Sequence, residues 1–225
     1  MISDFISLIF PEVFIHCKTT LVKGEKQICT NCSSDLPKAV GSNVGFDLLN
    51  KFILYPKVTK AYSHLTFSKK GIVQSLLHQL KYEANQDVGI MIGRWFGADL
   101  KDAGFNTELI LPVPLHVSRL RTRGYNQSDL FSEGLSESLE IPWNNRVVKR
   151  TKKTLTQTKK GRIERWENVD KIFSVIDHSE IHDKDVTIID DVITTGATLN
   201  SCVQAISNSG AKSISVLTIA VANPK

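Results

Sequence analysis

The sequence has no long apolar run and neither of the two commonest nucleotide-binding signatures. A membrane-spanning helix needs about 20 apolar residues, whereas the apolar start at 1–10 carries Asp4 and runs into Pro11. Since it also lacks the basic first segment of a signal peptide, we expect a helix that docks on the protein. A G-x-x-x-x-G-K-[ST] loop and a G-x-G-x-x-G turn after a strand are both missing. These absences argue against an ordinary P-loop triphosphatase and a dinucleotide-binding domain.

Cysteine is scarce, and charge of either sign is moderate. Four cysteines without a secretory signal favour a reducing, cytoplasmic location over a disulfide framework. The net charge of +5 suits an anionic ligand without requiring nucleic acid. A chain of 225 residues has room for one α/β domain and a small appendage.

The composition changes near residue 45. Residues 1–45 hold three of the four cysteines and end in a Gly-Ser-Asn linker at 41–43. Strand-like segments then alternate with helical stripes, which predicts a mostly parallel sheet flanked by helices. We therefore expect an N-terminal region at 1–45 and an α/β domain at 46–225.

The most informative segment is 186–198. Its first four residues, Val-Thr-Ile-Ile, predict a buried strand that leads into Asp190 and Asp191. A Thr/Gly turn and a helix start follow, where backbone N–H groups and hydroxyls bind phosphate. The acids lie where they can bind sugar hydroxyls or a magnesium-bound group. The alternative interpretation is an ordinary turn with acidic side chains on the surface. The candidate phosphate loop is Thr194, Thr195, Gly196, Ala197 and Thr198.

Two basic segments could bind a second phosphate group. The strand end at 112–114 opens into a loop with Arg119, Arg121 and Arg123, whose forked guanidinium groups suit pyrophosphate. Residues 146–165 contain nine basic side chains and one acid. This second segment is compatible with a lid over pyrophosphate, a contact surface for single-stranded nucleic acid, or a solvated basic surface.

Several segments together resemble a known family. The order of residues in 190–198 resembles the fingerprint of type I phosphoribosyltransferases, which bind 5-phosphoribosyl 1-pyrophosphate (PRPP). The wider pattern resembles the ComF family of competence-associated, phosphoribosyltransferase-like proteins. The matching pieces are 80–82, 112–114, 121–127, Arg150 with Thr154 and Gln157, Arg165 with Asn168 and Phe173, and 190–198.

The resemblance implies the type I phosphoribosyltransferase fold and a phosphoribosyl ligand, PRPP or a nucleoside 5-phosphate, bound with magnesium. Asp190 and Asp191 would bind the ribose hydroxyls, and the phosphate loop would bind the 5-phosphate. The phosphoribosyl group would pass to an unidentified nitrogen acceptor, held by an irregular hood at 46–70, with release of pyrophosphate. The pyrophosphate and lid residues would be Lys81, Arg119, Arg121, Arg123, Arg150, Thr154, Gln157 and Arg165.

A non-catalytic role is the alternative. In that interpretation the chain serves DNA uptake during competence and contacts single-stranded DNA or competence proteins. The PRPP site would then be a sensor or a relic. The intact acid pair and the Thr/Gly loop favour ligand binding in both cases.

The same family usually opens with a zinc ribbon of four cysteines. This chain keeps Cys29 and Cys32 as the second knuckle and Cys17 from the first, but has Phe14 where the fourth cysteine is expected. Because structural zinc sites use four ligands, we expect a degenerate ribbon without metal. The alternative is zinc held by the three cysteines with His16 or water.

Overall fold

The computed structural model describes residues 13–39, 48–151 and 172–222. The predicted docking helix at 1–10 and the linker at 41–43 lie outside the described residues. So do three candidate lid residues, Thr154, Gln157 and Arg165.

The described chain alternates helices and strands as the sequence predicts. No helix in these ranges has the length and apolar character that crossing a membrane requires. The elements in chain order are α1 Thr30–Ser34, β1 Val58–Phe67, α2 Ile72–Tyr82, α3 Asp87–Asp102, β2 Leu109–Pro112, α4 Val117–Arg123, α5 Gln127–Leu139, β3 Val148–Arg150, β4 Phe173–Val175, β5 Asp185–Ile193, α6 Ala197–Asn208 and β6 Ser213–Ala222.

Four strands form one parallel sheet in the order β1-β6-β5-β2. The two central strands, β5 and β6, are apolar on both faces, as expected for strands covered by helices on each side. β3 and β4 form a separate antiparallel pair. The predicted parallel sheet with flanking helices is confirmed.

The sheet separates two apolar clusters. Ile189 and Leu217 pack with residues of α2, α3 and α5 on one face. Ile188 and Val216 pack with α6 on the other. Because alternate side chains of a strand point to opposite faces, each central strand contributes to both clusters.

Two glycines bring α3 and α5 unusually close together. A Cβ on Gly93 would meet the carbonyl oxygen of Phe131, and a Cβ on Gly134 would meet that of Ile90. Only glycine allows this backbone approach. The contact positions α5 so that its first turn faces the carboxyl end of the sheet.

The segment 13–39 packs into the main core. Phe14, Cys29 and Cys32 belong to the same apolar cluster as α2 and α3. The Lys38 Nζ lies 3.0 Å from an Asp99 carboxylate oxygen on α3. The boundary that we expect near residue 45 falls between the described ranges and stays a prediction.

Candidate functional site

The two adjacent acids lie at the carboxyl-terminal part of β5, which runs to Ile193 rather than ending before them. Both line one cleft of about 440 Å³. The backbone N–H of Asp191 donates to Asp190 Oδ1 at 2.9 Å, and that of Val192 donates to Asp191 Oδ1 at 2.6 Å. These local hydrogen bonds fix the orientation of both carboxylates at the carboxyl-terminal edge of the sheet.

Each acid has a partner from a different helix. The Nζ of Lys81, in the last turn of α2, lies 2.6 Å from Asp191 Oδ2. The hydroxyl of Ser128, in the first turn of α5, lies 3.5 Å from Asp190 Oδ1. The structure thus brings the predicted Lys81 to the acid pair.

The environment makes the two acids unequal. Burial and, to a smaller extent, the negative charge of Asp191 together raise the pKa of Asp190 to about 7, while Lys81 opposes the shift. Without ligand, Asp190 therefore changes charge near neutral pH. A bound cation or hydroxyl donor would stabilise the ionised form of this carboxyl group.

The candidate phosphate loop has the backbone that phosphate binding requires. Gly196 adopts a left-handed conformation with φ +83°, and α6 begins at the next residue. The Ala197 N–H donates to Thr195 Oγ1 at a long 3.4 Å, and Gly196 provides no side-chain cap, so the first turn of α6 keeps N–H groups that can bind an anion. Residues 192–199 line a small cavity of about 50 Å³ next to Asp190, and Thr198 also lines the main cleft.

The arginine-rich segment that we expected to be a loop forms the short helix α4. The Nδ1 of His116 caps it by accepting from Ser118 N at 3.3 Å, and Gly124 ends it at φ +81°. Side chains four positions apart share a helix face. Arg119 and Arg123 accordingly both line the cleft, whereas Arg121 does not.

A further arginine reaches the cleft from another element. Arg150 ends β3, and its guanidinium lies 5.4 Å from the centre of the Phe173 ring. Burial lowers the pKa of Arg150, and nearby Arg119 lowers it further, while Asp190 opposes the shift. Arg150 and Arg119 therefore place two positive charges close together on one wall of the cleft. A bound anion would reduce the repulsion between them.

Gln127 lies in the matching piece 121–127 but is not among the predicted pyrophosphate residues, and the structure places it in the site. It lines the cleft at the start of α5 and is 1% exposed. Arg123 Nη1 donates to its Oε1 at 2.7 Å, and its Nε2 has no partner among the described residues. Asn126 caps the helix by accepting from Ser128 N at 3.3 Å. The Asn-Gln pair before an apolar stripe is the signal that would have located this helix start.

The three N-terminal cysteines form a second cluster. Their Sγ atoms all lie within 4.8 Å of one another, and those of Cys17 and Cys29 are 3.5 Å apart. Hydrogen bonds with Thr19 lower the pKa of Cys17 to about 7, whereas burial raises that of Cys32 to about 12. Three thiols at this spacing fit three corners of a tetrahedral zinc site.

The fourth corner has no cysteine or histidine among the described residues. Phe14 is 1% exposed and belongs to the apolar core. The Nδ1 of His16 lies 3.2 Å from Ser75 Oγ, and His16 is not part of the thiol cluster. Of the two fourth ligands considered, the geometry therefore favours water over His16.

Comparisons with known proteins agree with this architecture. The family model "Phosphoribosyl transferase domain" matches residues 126–225. The chain is 43% identical to competence protein F of Haemophilus influenzae over 110 residues, which cover 48% of each chain. It is 32% identical to the DNA utilization protein YhgH of Escherichia coli over 146 residues, 63% of each chain. The matches thus span between about half and just under two thirds of these relatives.

Solved structures add a more distant likeness. The glutamine PRPP amidotransferase from B. subtilis is 17% identical to this chain. The superposition covers 63% of this chain and 30% of the other, with a TM-score of 0.46.

Proposed function

We propose that the cleft of this chain, which is similar to competence protein F and matches the phosphoribosyl transferase domain model over residues 126–225, binds PRPP with magnesium and transfers the phosphoribosyl group to a nitrogen acceptor. One observation carries the proposal. The acid pair, a wall of arginines and Thr198 line a single cleft, and the rest of the phosphate loop lines a small cavity that shares Asp190 and Thr198 with it. A diol, a phosphate and a pyrophosphate are the three groups that these surfaces would bind.

Each surface has a role in the proposed complex. The N–H groups of the phosphate loop would hold the 5-phosphate, and Asp190 and Asp191 would accept hydrogen bonds from the ribose hydroxyls. Arg119, Arg123 and the start of α5, with the Nε2 of Gln127 that has no partner among the described residues, would hold the pyrophosphate. Magnesium, when bound near the acids, would supply charge neutralisation between the diol and the pyrophosphate.

The proposed reaction is a substitution at the anomeric carbon. The acceptor nitrogen forms a bond to this carbon, the bond to the pyrophosphate oxygen breaks, and its electron pair leaves with pyrophosphate. The transition state resembles an oxocarbenium ion, as in glycoside hydrolysis. The arginine wall would stabilise the departing negative charge, and the acids would stabilise the positive sugar.

Calorimetry tests the binding step. We expect the double variant Asp190→Asn, Asp191→Asn to lose magnesium-dependent PRPP binding by at least about a hundredfold, since each charge-assisted hydrogen bond contributes about 1.5–3 kcal/mol. Asp185→Asn is the matched control, because Asp185 begins the same strand and bonds Ser213 and Lys212. Equal PRPP affinity in the wild type and the double variant would refute the site.

A turnover screen tests the transfer step. Pyrophosphate release is measured at saturating PRPP and magnesium across heterocyclic bases and small amines. We expect release with at least one acceptor. Tight PRPP binding without release for any acceptor would contradict the transferase role and favour a sensor.

A second candidate function is binding of single-stranded DNA. Its support comes from the names of the relatives, a competence protein and a DNA utilization protein, and from the nine basic residues at 146–165. We expect weaker binding in a gel shift when four lysines are replaced by Gln: Lys152, Lys153, Lys159 and Lys160. The slope of log affinity against log salt concentration should become shallower by about 0.7 for each phosphate contact that is lost. The control replaces four exposed lysines elsewhere, Lys23, Lys26, Lys69 and Lys70. An equal loss in both variants would argue against a DNA surface at 146–165.

A further inference from the structure

A carboxylate next to the cleft joins segments that form its arginine-lined side. Asp129 lies in the first turn of α5 and does not line the cleft itself. Its Oδ1 accepts from the side-chain amide of Asn126 at 2.6 Å, and its Oδ2 accepts from that of Asn145 at 2.9 Å. Both carboxylate oxygens therefore have a partner, and the two partners belong to different segments of the chain.

We propose that Asp129 is a positioning residue for pyrophosphate: it orients the amides of Asn126 and Asn145, and thereby fixes the start of α5 and the segment that leads to Arg150. The inference rests on the proposed phosphoribosyl transfer. It adds a residue that acts through its two amide partners rather than by touching the ligand.

The amide of Asn126 has only one orientation that serves all of its contacts. Its NH2 group donates to the carbonyl oxygen of Val113 at 3.1 Å as well as to Asp129, and its Oδ1 accepts from the Ser128 N–H at 3.3 Å. An ionised carboxylate can only accept hydrogen bonds. Asp129 thus holds the NH2 group on its own side and leaves the oxygen to cap α5. A rotated amide would place a donor against the Ser128 N–H and lose the cap.

The capped helix start presents groups that the proposed complex uses. Gln127 follows Asn126 directly, is almost fully buried and lines the cleft. Its Nε2 has no partner among the described residues, and its Oε1 accepts from Arg123. A change in the backbone at Asn126 would therefore move the Gln127 amide and the arginine that is bonded to it. Misplacement of positioning groups by about 1 Å is enough to reduce catalysis strongly.

The second amide partner lies on the segment that leads to Arg150. Asn145 directly follows a contact with β2, in which the Asn144 N–H donates to the carbonyl oxygen of Ile110 at 3.0 Å. β3 comes next and ends at Arg150, which lines the cleft. Asp129 thereby links the start of α5 to the segment that carries this arginine.

The charge of Asp129 by itself would oppose the proposed ligand. A carboxylate in the first turn of a helix stabilises the helix dipole, but it repels a nearby pyrophosphate. Burial raises the pKa of Asp129, and the hydrogen bonds from Asn145 and Asn126 oppose this shift. If only charge mattered, Asp129→Asn would tighten pyrophosphate binding, whereas loss of positioning would weaken it. The two roles thus predict effects of opposite sign.

Two ligands that differ only at the anomeric carbon test the inference. Calorimetry with magnesium compares PRPP with ribose 5-phosphate, which has a hydroxyl group in place of pyrophosphate. We expect Asp129→Asn to lower the affinity for PRPP about tenfold, equivalent to about 1.4 kcal/mol, and to leave the affinity for ribose 5-phosphate unchanged. The introduced amide can accept from only one of the two neighbouring NH2 groups, because its own NH2 group faces the other.

Exchanging the two side chains provides a rescue. In the double variant Asp129→Asn, Asn145→Asp, the amide at position 129 accepts from Asn126 and donates to the carboxylate at position 145, which restores both hydrogen bonds. We expect the PRPP affinity of this variant to return to within about threefold of the wild type. Glu137→Gln is the control, because it removes a charge from the same helix at an ion pair with Arg94. It should change neither affinity.

A milder variant decides the question if Asp129→Asn does not fold. Asn145 is exposed, so Asn145→Ala removes one of the two hydrogen bonds with little effect on packing. It should lower the PRPP affinity by a smaller factor and leave the affinity for ribose 5-phosphate unchanged. An unchanged PRPP affinity in this variant would contradict the role of Asn145.

The other outcomes overturn the inference. An unchanged or higher PRPP affinity in Asp129→Asn would show that the carboxylate does not position the pyrophosphate side. Equal losses for PRPP and ribose 5-phosphate would indicate a general loss of structure, and a double variant without recovery would exclude the hydrogen bonds as the cause. In these cases the proposed function stands, since the wild type still binds PRPP. A wild type that binds neither ligand refutes the proposed function and the inference with it.

Discussion

The ammonium nitrogen of Lys81 lies 2.6 Å from the Oδ2 of Asp191, and both side chains line the cleft. Both side chains are mostly buried, with exposures of 21% and 20%. The pair neutralises one of two adjacent acids when no ligand is bound. A magnesium-bound sugar would have to share or replace this partner, so Lys81 contributes directly to the charge of the acid pair.

Removing the Lys81 charge should shift the pH dependence of ligand binding. The ionised carboxylate of Asp190 accepts hydroxyl hydrogen bonds more strongly than the protonated acid, so magnesium-dependent PRPP affinity should rise as the pH increases through about 7. Lys81 lowers the pKa of Asp190, and Lys81→Gln should therefore move the midpoint to higher pH. Calorimetry from mildly acidic to mildly basic pH measures the shift. Lys81→Arg keeps the charge and should keep the midpoint; a common midpoint for all three proteins would contradict the coupling.

Asp190→Asn should stabilise the fold while it removes binding. The folded-state pKa of Asp190, about 7, lies above its ordinary value of 3.8. Stability from this group is therefore lost as the pH rises from about 4 to about 7. The uncharged asparagine side chain avoids this loss, so at a pH of about 8 we expect a gain of about 1–3 kcal/mol in the free energy of unfolding.

Urea denaturation at a pH of about 5 and of about 8 checks the sign of this effect. The gain of Asp190→Asn should shrink at the lower pH, where the wild-type carboxyl group is mostly protonated. Hydrogen bonds with Ser213 and Lys212 lower the pKa of Asp185, so the control Asp185→Asn should show no gain at the higher pH. A less stable Asp190→Asn variant at the higher pH would contradict the burial effect.

Gly196→Ala should weaken the phosphate loop through backbone strain. The nearest atoms to an added Cβ are 3.7 Å away, so there is room for the methyl group. The left-handed φ of +83° costs an L-residue about 1–2 kcal/mol, and we expect that loss of stability with weaker PRPP binding. Gly196→Asn should cost less, because Asn tolerates this region better. Thermal unfolding and calorimetry measure both effects, and unchanged values in Gly196→Ala would refute the requirement for glycine.

The cysteine cluster should bind about one zinc ion per chain. Three thiols already lie within 4.8 Å of one another, so Cys29→Ser and Cys32→Ser should each release most of the metal, as should chelators. His16→Ala should keep it, because His16 faces Ser75. Metal analysis by mass spectrometry decides the question. A metal-free wild type would instead support the degenerate ribbon that the sequence favours.

Local chemistry made β5 and the phosphate loop predictable. A β-branched run, two acids and a Thr/Gly turn each specify their own backbone over a few residues. The helical stripe of α2 was equally clear from its 3.6-residue period. The arginine segment was harder to predict, because His116 is an uncommon helix cap. The expected loop is a helix, and its periodicity places Arg121 on a different face from Arg119 and Arg123.

The amino-acid sequence by itself determined the strand, the acid pair and the left-handed glycine that open the phosphate site, since each depends on neighbours within one or two turns. Only the tertiary structure decided which distant side chains complete it. Because β1, β2 and β5 are parallel and end at one edge, α2 after β1 brings Lys81 and α5 after β2 brings Gln127 to the acids of β5. Arg150 reaches them from the end of β3. The approach of α3 and α5 at two glycines and the packing of Phe14 likewise depend on contacts that no local pattern encodes.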